Sequence, residues 1–301
     1  RLEPGRMFLI DFKQQRIIEP QEVIERIATQ NPYGQWLQEN RVTLKSLPAA
    51  KNVPEVNVEN LVNRQMAFGY SREDLHMLIS PMAITGHQPQ GSMGDDAPLA
   101  VLSDKPQSLF SYFKQAFAQV SNPPLDAIRE KLVTQFAVPA GRRLNIFETT
   151  PLHCRTLRID QPILRNSDLA KIKASDKPGV KAKTISTCFK AAEGAIGLDN
   201  ALKRIRQEAS EAIENGYTLL ILSDREVNQD NAYIPSLLAT GAVHHHLIRE
   251  RNRAQADIII ESGEPREVHH FATLFGYGAS AINPYLAFET IAGLQLSPTA
   301  E

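Results

Sequence analysis

The sequence predicts an α/β protein built from parallel βαβ units and arranged as a barrel-like domain. Two features of the last 120 residues carry this reading. Short apolar runs at Thr184–Phe189, Thr218–Leu222, Asp257–Ile260 and Ala279–Ile282 read as strands, and the stretches between them repeat apolar residues at helical spacing. Strands separated by helices of that length pair in parallel through right-handed crossovers, giving a barrel or an open doubly wound sheet. A third observation is bulk composition: 301 residues, 42% hydrophobic and 22% charged, fit one large globular domain or two smaller ones.

From the amino terminus, Met7-Phe8-Leu9-Ile10 and Ile17-Ile18 form an extended, hairpin-like segment. Pro20 suits a first helical position, and Val23, Ile24, Ile27 and Ala28 mark one face of a short helix. Trp36 and Leu37 are expected in the same satellite cluster. Lys45 to Pro54 reads as a polar linker or surface crossing. Ser71 with Asp74 resembles a capping box, Leu75, Leu78 and Ile79 give the next helix its apolar face, and Pro81 is expected to end it. Gly86 to Pro98 is the longest well-marked loop. Pro106 is expected to open a second helix, with Leu109, Phe110, Phe113, Phe117 and Val120 on one face and Asn122-Pro123-Pro124 as its stop. Between Arg143 and Lys183 the pattern weakens to a strand at Leu144–Phe147 and an exposed polar run, Lys171–Lys183.

The closing third is more legible. Leu198, Ala201, Leu202, Ile205, Ala209, Ala212 and Ile213 line a helix closed by Asn215-Gly216. Further helices follow from Pro235 to about Arg249 and from Arg266 to Phe275. An apolar strand ending in Glu261-Ser262-Gly263, a helix ending at Gly276 and a last strand resemble strands seven and eight of a phosphate-binding (β/α) barrel. There, backbone N–H groups of glycine-rich loops hold the phosphate. Gly263 could serve in the first loop, but Asn283-Pro284 after the last strand brings a proline without an N–H. A scaffold without the ligand is therefore the stronger reading.

Formal net charge is −1, with no block of Lys and Arg, so nucleic acid and anionic membranes are not expected partners. No run approaches the roughly 18 apolar residues of a membrane span, and no signal peptide is visible, so a soluble intracellular protein is expected. The chain opens Arg1-Leu2-Glu3-Pro4-Gly5 without an initiating Met, which suggests a piece of something longer. Cys154 and Cys188 form neither a CxxC pair nor a ligand cluster. His244-His245-His246 cannot converge on one ion from a helix, where neighbours point about 100° apart. His245 falls on the face of Leu238, Gly241 and Ile248, which favours a packed histidine, and His269-His270 is read the same way. Ser223-Asp224-Arg225 follows a strand, where α/β proteins build sites; the alternative is a loop-shaping role and a helix cap. Asp95-Asp96, in a Gly-rich loop, reads as turn chemistry rather than an acid–base pair. No nucleophile elbow, P-loop or GxGxxG is present.

Several segments together resemble glutamate synthase. They are Pro4-Gly5-Arg6-Met7-Phe8-Leu9, Gly91-Ser92-Met93-Gly94-Asp95-Asp96 with Ala97–Ser103, Tyr112–Pro124, and Ile221-Leu222-Ser223-Asp224-Arg225. Further along come Ala242–Ile248, Glu261-Ser262-Gly263-Glu264, Val268-His269-His270-Phe271, Gly276–Ala279 and Ala281–Leu286. The resemblance implies that residues 1–40 are the tail of a glutamine amidotransferase domain and 41–301 the central domain. That domain would resemble an FMN-binding (β/α) barrel without the cofactor, while the parent carries FMN and an iron–sulfur cluster. It further implies a non-catalytic domain joining the glutaminase and FMN domains and helping to line an ammonia tunnel, with Met93 and Ser121 near it. The family often has Thr where Ser121 stands. Electron donor and oligomeric state lie outside this stretch, and a cytoplasmic or plastid location is implied. The competing readings are a stand-alone phosphate- or flavin-binding barrel enzyme and a pure interaction module.

Overall fold

The computed structural model describes residues 4–57, 59–89, 99–114 and 124–295. Strands β1 (Leu9–Asp11) and β2 (Arg16–Ile18) form the expected antiparallel hairpin, its turn closed by the Asp11 carboxylate accepting the N–H groups of Lys13 and Gln14. Helix α1 (Pro20–Thr29) has Pro20 in its first turn, where the missing N–H is no loss. Only Val23 of its apolar face is buried; Ile24 and Ile27 are half exposed. Helix α2 (Tyr33–Asn40) packs on a 3₁₀ turn at Pro151–Cys154, with Trp36 edge-on to Tyr33 and Leu37 largely open. The apolar face of α1 is thus left uncovered.

After β3 (Val42–Thr43) and α3 (Leu61–Ala67) comes a helical stretch that opens with the capping box. Ser71 Oγ accepts the Asp74 N–H at 3.0 Å, and the Asp74 carboxylate accepts the Ser71 N–H at 2.9 Å. Pro81 does not end this stretch. A π-helical turn at Asp74–Ile79, with Ser80 N–H reaching back to Leu75 O, widens the spiral just ahead of Pro81 and passes it into α4 (Ser80–Thr85). The wider turn relieves the clash a proline ring makes with the carbonyl four residues earlier. The helix stops at Gly86, which takes a left-handed φ of 68°.

The helix expected from Pro106 is, in its described part, a single 3₁₀ turn at Leu109–Tyr112. Phe110 explains the difference. Its ring is buried and stacked on His270 at 4.4 Å, and its carbonyl accepts a hydrogen bond from His269 Nε2 at 3.1 Å. Tertiary bonds thus claim groups that a longer helix would need. Phe117 and Val120 lie outside the described residues.

Helix α5 (Ala127–Val133), capped by the Asp126 carboxylate, precedes β4 (Val138–Ala140) and β5 (Leu157–Ile159). The strand expected at Leu144–Phe147 is absent; Ile146 and Phe147 are exposed there. The strand lies earlier, at the edge of the sheet β3-β5-β4, where Pro139 is tolerated. Helix α6 (Asn166–Lys173) takes up the start of the expected polar loop, and β6 (Ala182–Ser186) its end. The strand expected at Thr184–Phe189 is two, broken at Thr187, with β7 (Cys188–Lys190) pairing elsewhere with β9 (Asn231–Tyr233). The rest follows the sequence reading closely: α7 (Gly194–Glu214), β8 (Leu219–Ser223), α8 (Ser236–Arg249), β10 (Asp257–Glu261), α9 (Val268–Gly276) and β11 (Ala279–Asn283); a further helix that the sequence reading did not include, α10 (Tyr285–Gln295), follows.

The central sheet has the order β11-β10-β8-β6, parallel throughout, so the chain is α/β with parallel βαβ units. Pro162–Leu164 extends it by bonding to Ile282 on the outer edge of β11. Among the described residues the strands form an open sheet. Every residue of β8, β10 and β11 is buried, as a parallel sheet covered on both faces requires. Side chains alternate: Leu220, Leu222, Ile258 and Ile260 meet α7, α8 and α9, while Leu219, Ile221, Ile259 and Ala281 meet α6 and β5. All four carboxyl ends therefore emerge on one side.

Candidate functional site

The loops at that side are built around Asp224, just past β8 and 2% exposed. Its carboxylate accepts hydrogen bonds from Ser262 Oγ at 2.5 Å, Gly263 N–H at 3.0 Å and Tyr285 Oη at 2.8 Å. These partners belong to the β10–α9 loop and the start of α10, so one carboxylate ties three strand ends together. Burial pushes the Asp224 carboxyl up to about 7; the Ser262, Tyr285 and Gly263 hydrogen bonds oppose that rise and the nearby Glu264 charge adds to it. Glu264 is also raised by burial, and it accepts the Ser236 N–H at 2.6 Å at the start of α8. The expected helix cap is thus supplied by Glu264 to α8, not by Asp224 or Arg225.

Gly263 stands where a phosphate-binding barrel would place the first of its glycine loops. Its N–H is directed at Asp224, and its carbonyl accepts from Tyr70 Oη at 2.9 Å. The Phe68 ring lies so close that a Cβ on Gly263 would meet it at 2.7 Å. Phe68 is stacked on Tyr233 and edge-on to Tyr285. Pro284 contributes a carbonyl to Phe288 N–H at the start of α10. FMN therefore does not fit this corner: one donor already holds an internal carboxylate, aromatic rings fill the space, and the second loop offers a proline.

Beside it lies an ion-pair chain. Glu261, 1% exposed, is held by Lys173 Nζ and Arg225 Nε, both at 2.6 Å. Burial acts to raise its carboxyl, but the two cations outweigh it and the net shift is downward. Arg225 also reaches Glu289 Oε1 at 3.4 Å and Asn166 Oδ1 at 3.2 Å, and stacks over Tyr285. Glu289, on α10, is bound in turn by Arg64 of α3.

The histidines sort differently from the sequence reading. His245 is exposed, because the Leu238–Ile248 face of α8 points outward. The bonded ones are His246, to Ser210 Oγ at 2.8 Å, and His244, whose Nδ1 accepts from Arg253. His244 also packs against Gly278, whose φ of 104° and lack of a side chain make room for the ring. Among the described residues no three His, Cys, Asp or Glu side chains are placed to share a metal ion. Burial pushes the Cys188 thiol up to about 11. Met93, Ser121, Asp95 and Asp96 lie outside the described residues.

Tyr70, Phe68 and Glu289, which close the site, were not singled out in the sequence. Phe68 and Tyr70 lie in the turn after α3 and Glu289 on α10, all far from Asp224 in the chain, and no local spacing connects them to it. The arrangement defines an α/β domain whose strand-end loops satisfy one another with an internal carboxylate. A family model described as the glutamate synthase central domain matches residues 63–300, and one for class-II glutamine amidotransferases matches residues 1–36. The chain is 47% identical over 290 residues to the large chain of an NADPH glutamate synthase from Bacillus subtilis, covering 96% of this chain and 19% of the relative. It is 43% identical to a chloroplastic ferredoxin-dependent glutamate synthase of Oryza sativa, with 99% and 18% covered, and 39% identical to an NADH glutamate synthase of Schizosaccharomyces pombe, with 98% and 14% covered. This chain belongs to the glutamate synthase central domain family. It spans less than a fifth of the length of these relatives. Among the described residues, no helix is long and apolar enough to cross a membrane.

Proposed function

We propose that this chain is a non-catalytic connecting domain of a glutamate synthase that makes glutamate from glutamine and 2-oxoglutarate. The observation that carries the reading is the closed Asp224–Gly263 corner: the place where a related barrel would hold a phosphate is occupied by the chain's own carboxylate and by Phe68. FMN and an iron–sulfur cluster belong, in this reading, to a neighbouring domain. Residues 1–40 are the tail of the amidotransferase domain and 41–301 the central domain. Supporting this is the open apolar surface of the hairpin and α1, with Met7, Phe8, Phe12, Ile17, Ile24 and Ile27 at least 45% exposed. A patch of this kind is characteristic of a covered interface. Met93 and Ser121 are the candidate wall of the passage for ammonia, and location follows the parent, cytoplasmic or plastid. Relatives named for NADPH, ferredoxin and NADH match alike, so the electron donor is set elsewhere.

Titration of the purified chain with FMN tests the closed corner. No saturable quenching of flavin fluorescence is expected; binding at micromolar or tighter affinity would favour the stand-alone flavin barrel instead.

A further inference from the structure

A cleft of about 520 Å³ opens beside the closed corner, between the 48–54 segment and α6, with Arg225 and Glu261 in its wall. It lies at the carboxyl ends of β8 and β10, where open parallel sheets bind ligands, and its volume is that of a small-molecule site. Its chemistry is cationic. Lys51, Lys173 and Arg225 line it against one carboxylate, Glu261, which is already shared by Lys173 and Arg225. The further ion pair of this chain, Arg64 with Glu289, leaves that excess unchanged. Lys173 gives one of its three N–H donors to Glu261. Asn166 Oδ1 accepts from both Arg225 and Asn283, so its amide is oriented, and among the described residues its Nδ2 has no acceptor. Apart from Asn52, the remaining wall is apolar, with Pro48, Leu169 and Ala170 prominent in it.

We propose that this cleft binds a small organic anion, a carboxylate or a phosphate carried on an apolar body, against Lys173 and Asn166. Two donors whose bonding is incomplete, an excess of positive charge and apolar walls are the recognition elements of such a ligand. The site is separate from the Gly263 loop, whose N–H is engaged by Asp224, and it does not depend on the tunnel reading.

Isothermal titration calorimetry of the 301-residue chain distinguishes the possibilities, with benzoate, phenyl phosphate, inorganic phosphate and benzyl alcohol as probes. At least one of the two aromatic anions is expected to bind saturably, and the tighter one identifies the acid group preferred. Inorganic phosphate, lacking the body, and benzyl alcohol, lacking the charge, are expected to bind about tenfold more weakly or not at all. Lys173→Gln should weaken the bound anion about tenfold or more. Because that change also removes a partner of Glu261, Ala49→Trp on the exposed 48–54 segment serves as a second variant, filling the cleft while leaving the ion pairs intact. It should abolish binding with an unchanged melting temperature. No saturable binding of either aromatic anion, equal affinity for benzyl alcohol or inorganic phosphate, or unaltered affinity in Ala49→Trp would each overturn the proposal.

Discussion

Gly263 and Asp224 show at single-residue scale how a site can be legible while its use is not. Sequence position alone marks both as strand-end residues, one suited to a close backbone approach and the other to a polar role. What they do depends on Phe68, Tyr70 and Tyr285, whose approach no local pattern encodes. Gly263→Ala should therefore destabilise the chain by about 1–3 kcal/mol, because the methyl would sit 2.7 Å from the Phe68 ring. Urea unfolding measures this, and the double variant with Phe68→Leu should recover part of the loss; full stability in the single variant would mean the ring is not packed there. Asp224 titrates near 7 against an ordinary value of 3.8, so the folded chain retains a proton that the unfolded chain releases. Stability from this group is present at acid pH and is lost as pH rises from about 4 to about 7, at roughly 1.4 kcal/mol per unit while it titrates. Asp224→Asn removes that dependence. Calorimetry across the range should show the wild-type advantage shrinking with rising pH and levelling off above about 7; a constant difference would show that Asp224 stays ionised.

Among the elements, those read well are long or strongly bounded: α7 and α8 by helical period, β8, β10 and β11 by apolar runs. α7 buries the face that local pattern predicts, whereas α8 buries Leu237, Val243 and Leu247 and turns the expected Leu238–Ile248 face outward. The misread ones have their backbone or rings claimed from afar. The 3₁₀ turn at Leu109–Tyr112 is fixed by His269 and His270, and Pro81 is carried through by a π turn that composition does not announce. α3 and α10 depend on each other in the same way, through Arg64 with Glu289 and Gln65 with Thr290. Glu289 is buried between two arginines, so Glu289→Ala should cost about 3 kcal/mol, since it leaves Arg64 without its buried counter-charge. Guanidinium unfolding gives the number, and restored stability in the double variant Arg64→Met/Glu289→Leu would identify charge, not packing, as the cause.

For the whole molecule, the α/β class and the parallel sheet were readable because βαβ order is written along the chain. Which loops would face the glutaminase and FMN domains of the proposed parent was not, and the tunnel positions rest on resemblance. In the full-length synthase, Met93→Trp is expected to lower glutamate formed per glutamine hydrolysed below one, with ammonia-dependent synthesis less affected; a ratio held at one would remove Met93 from the passage. The topology carries one more consequence. The Pro162–Leu164 edge waits for β11, and the cluster of Phe68, Tyr70 and Ile79 waits for Tyr285 and Leu286. During synthesis the apolar surfaces of the first half of the domain emerge without their partners and are covered only when its last elements leave the ribosome. Contacts of such long sequence separation close slowly. The interval before closure is when this domain is most exposed to aggregation and to chaperone capture.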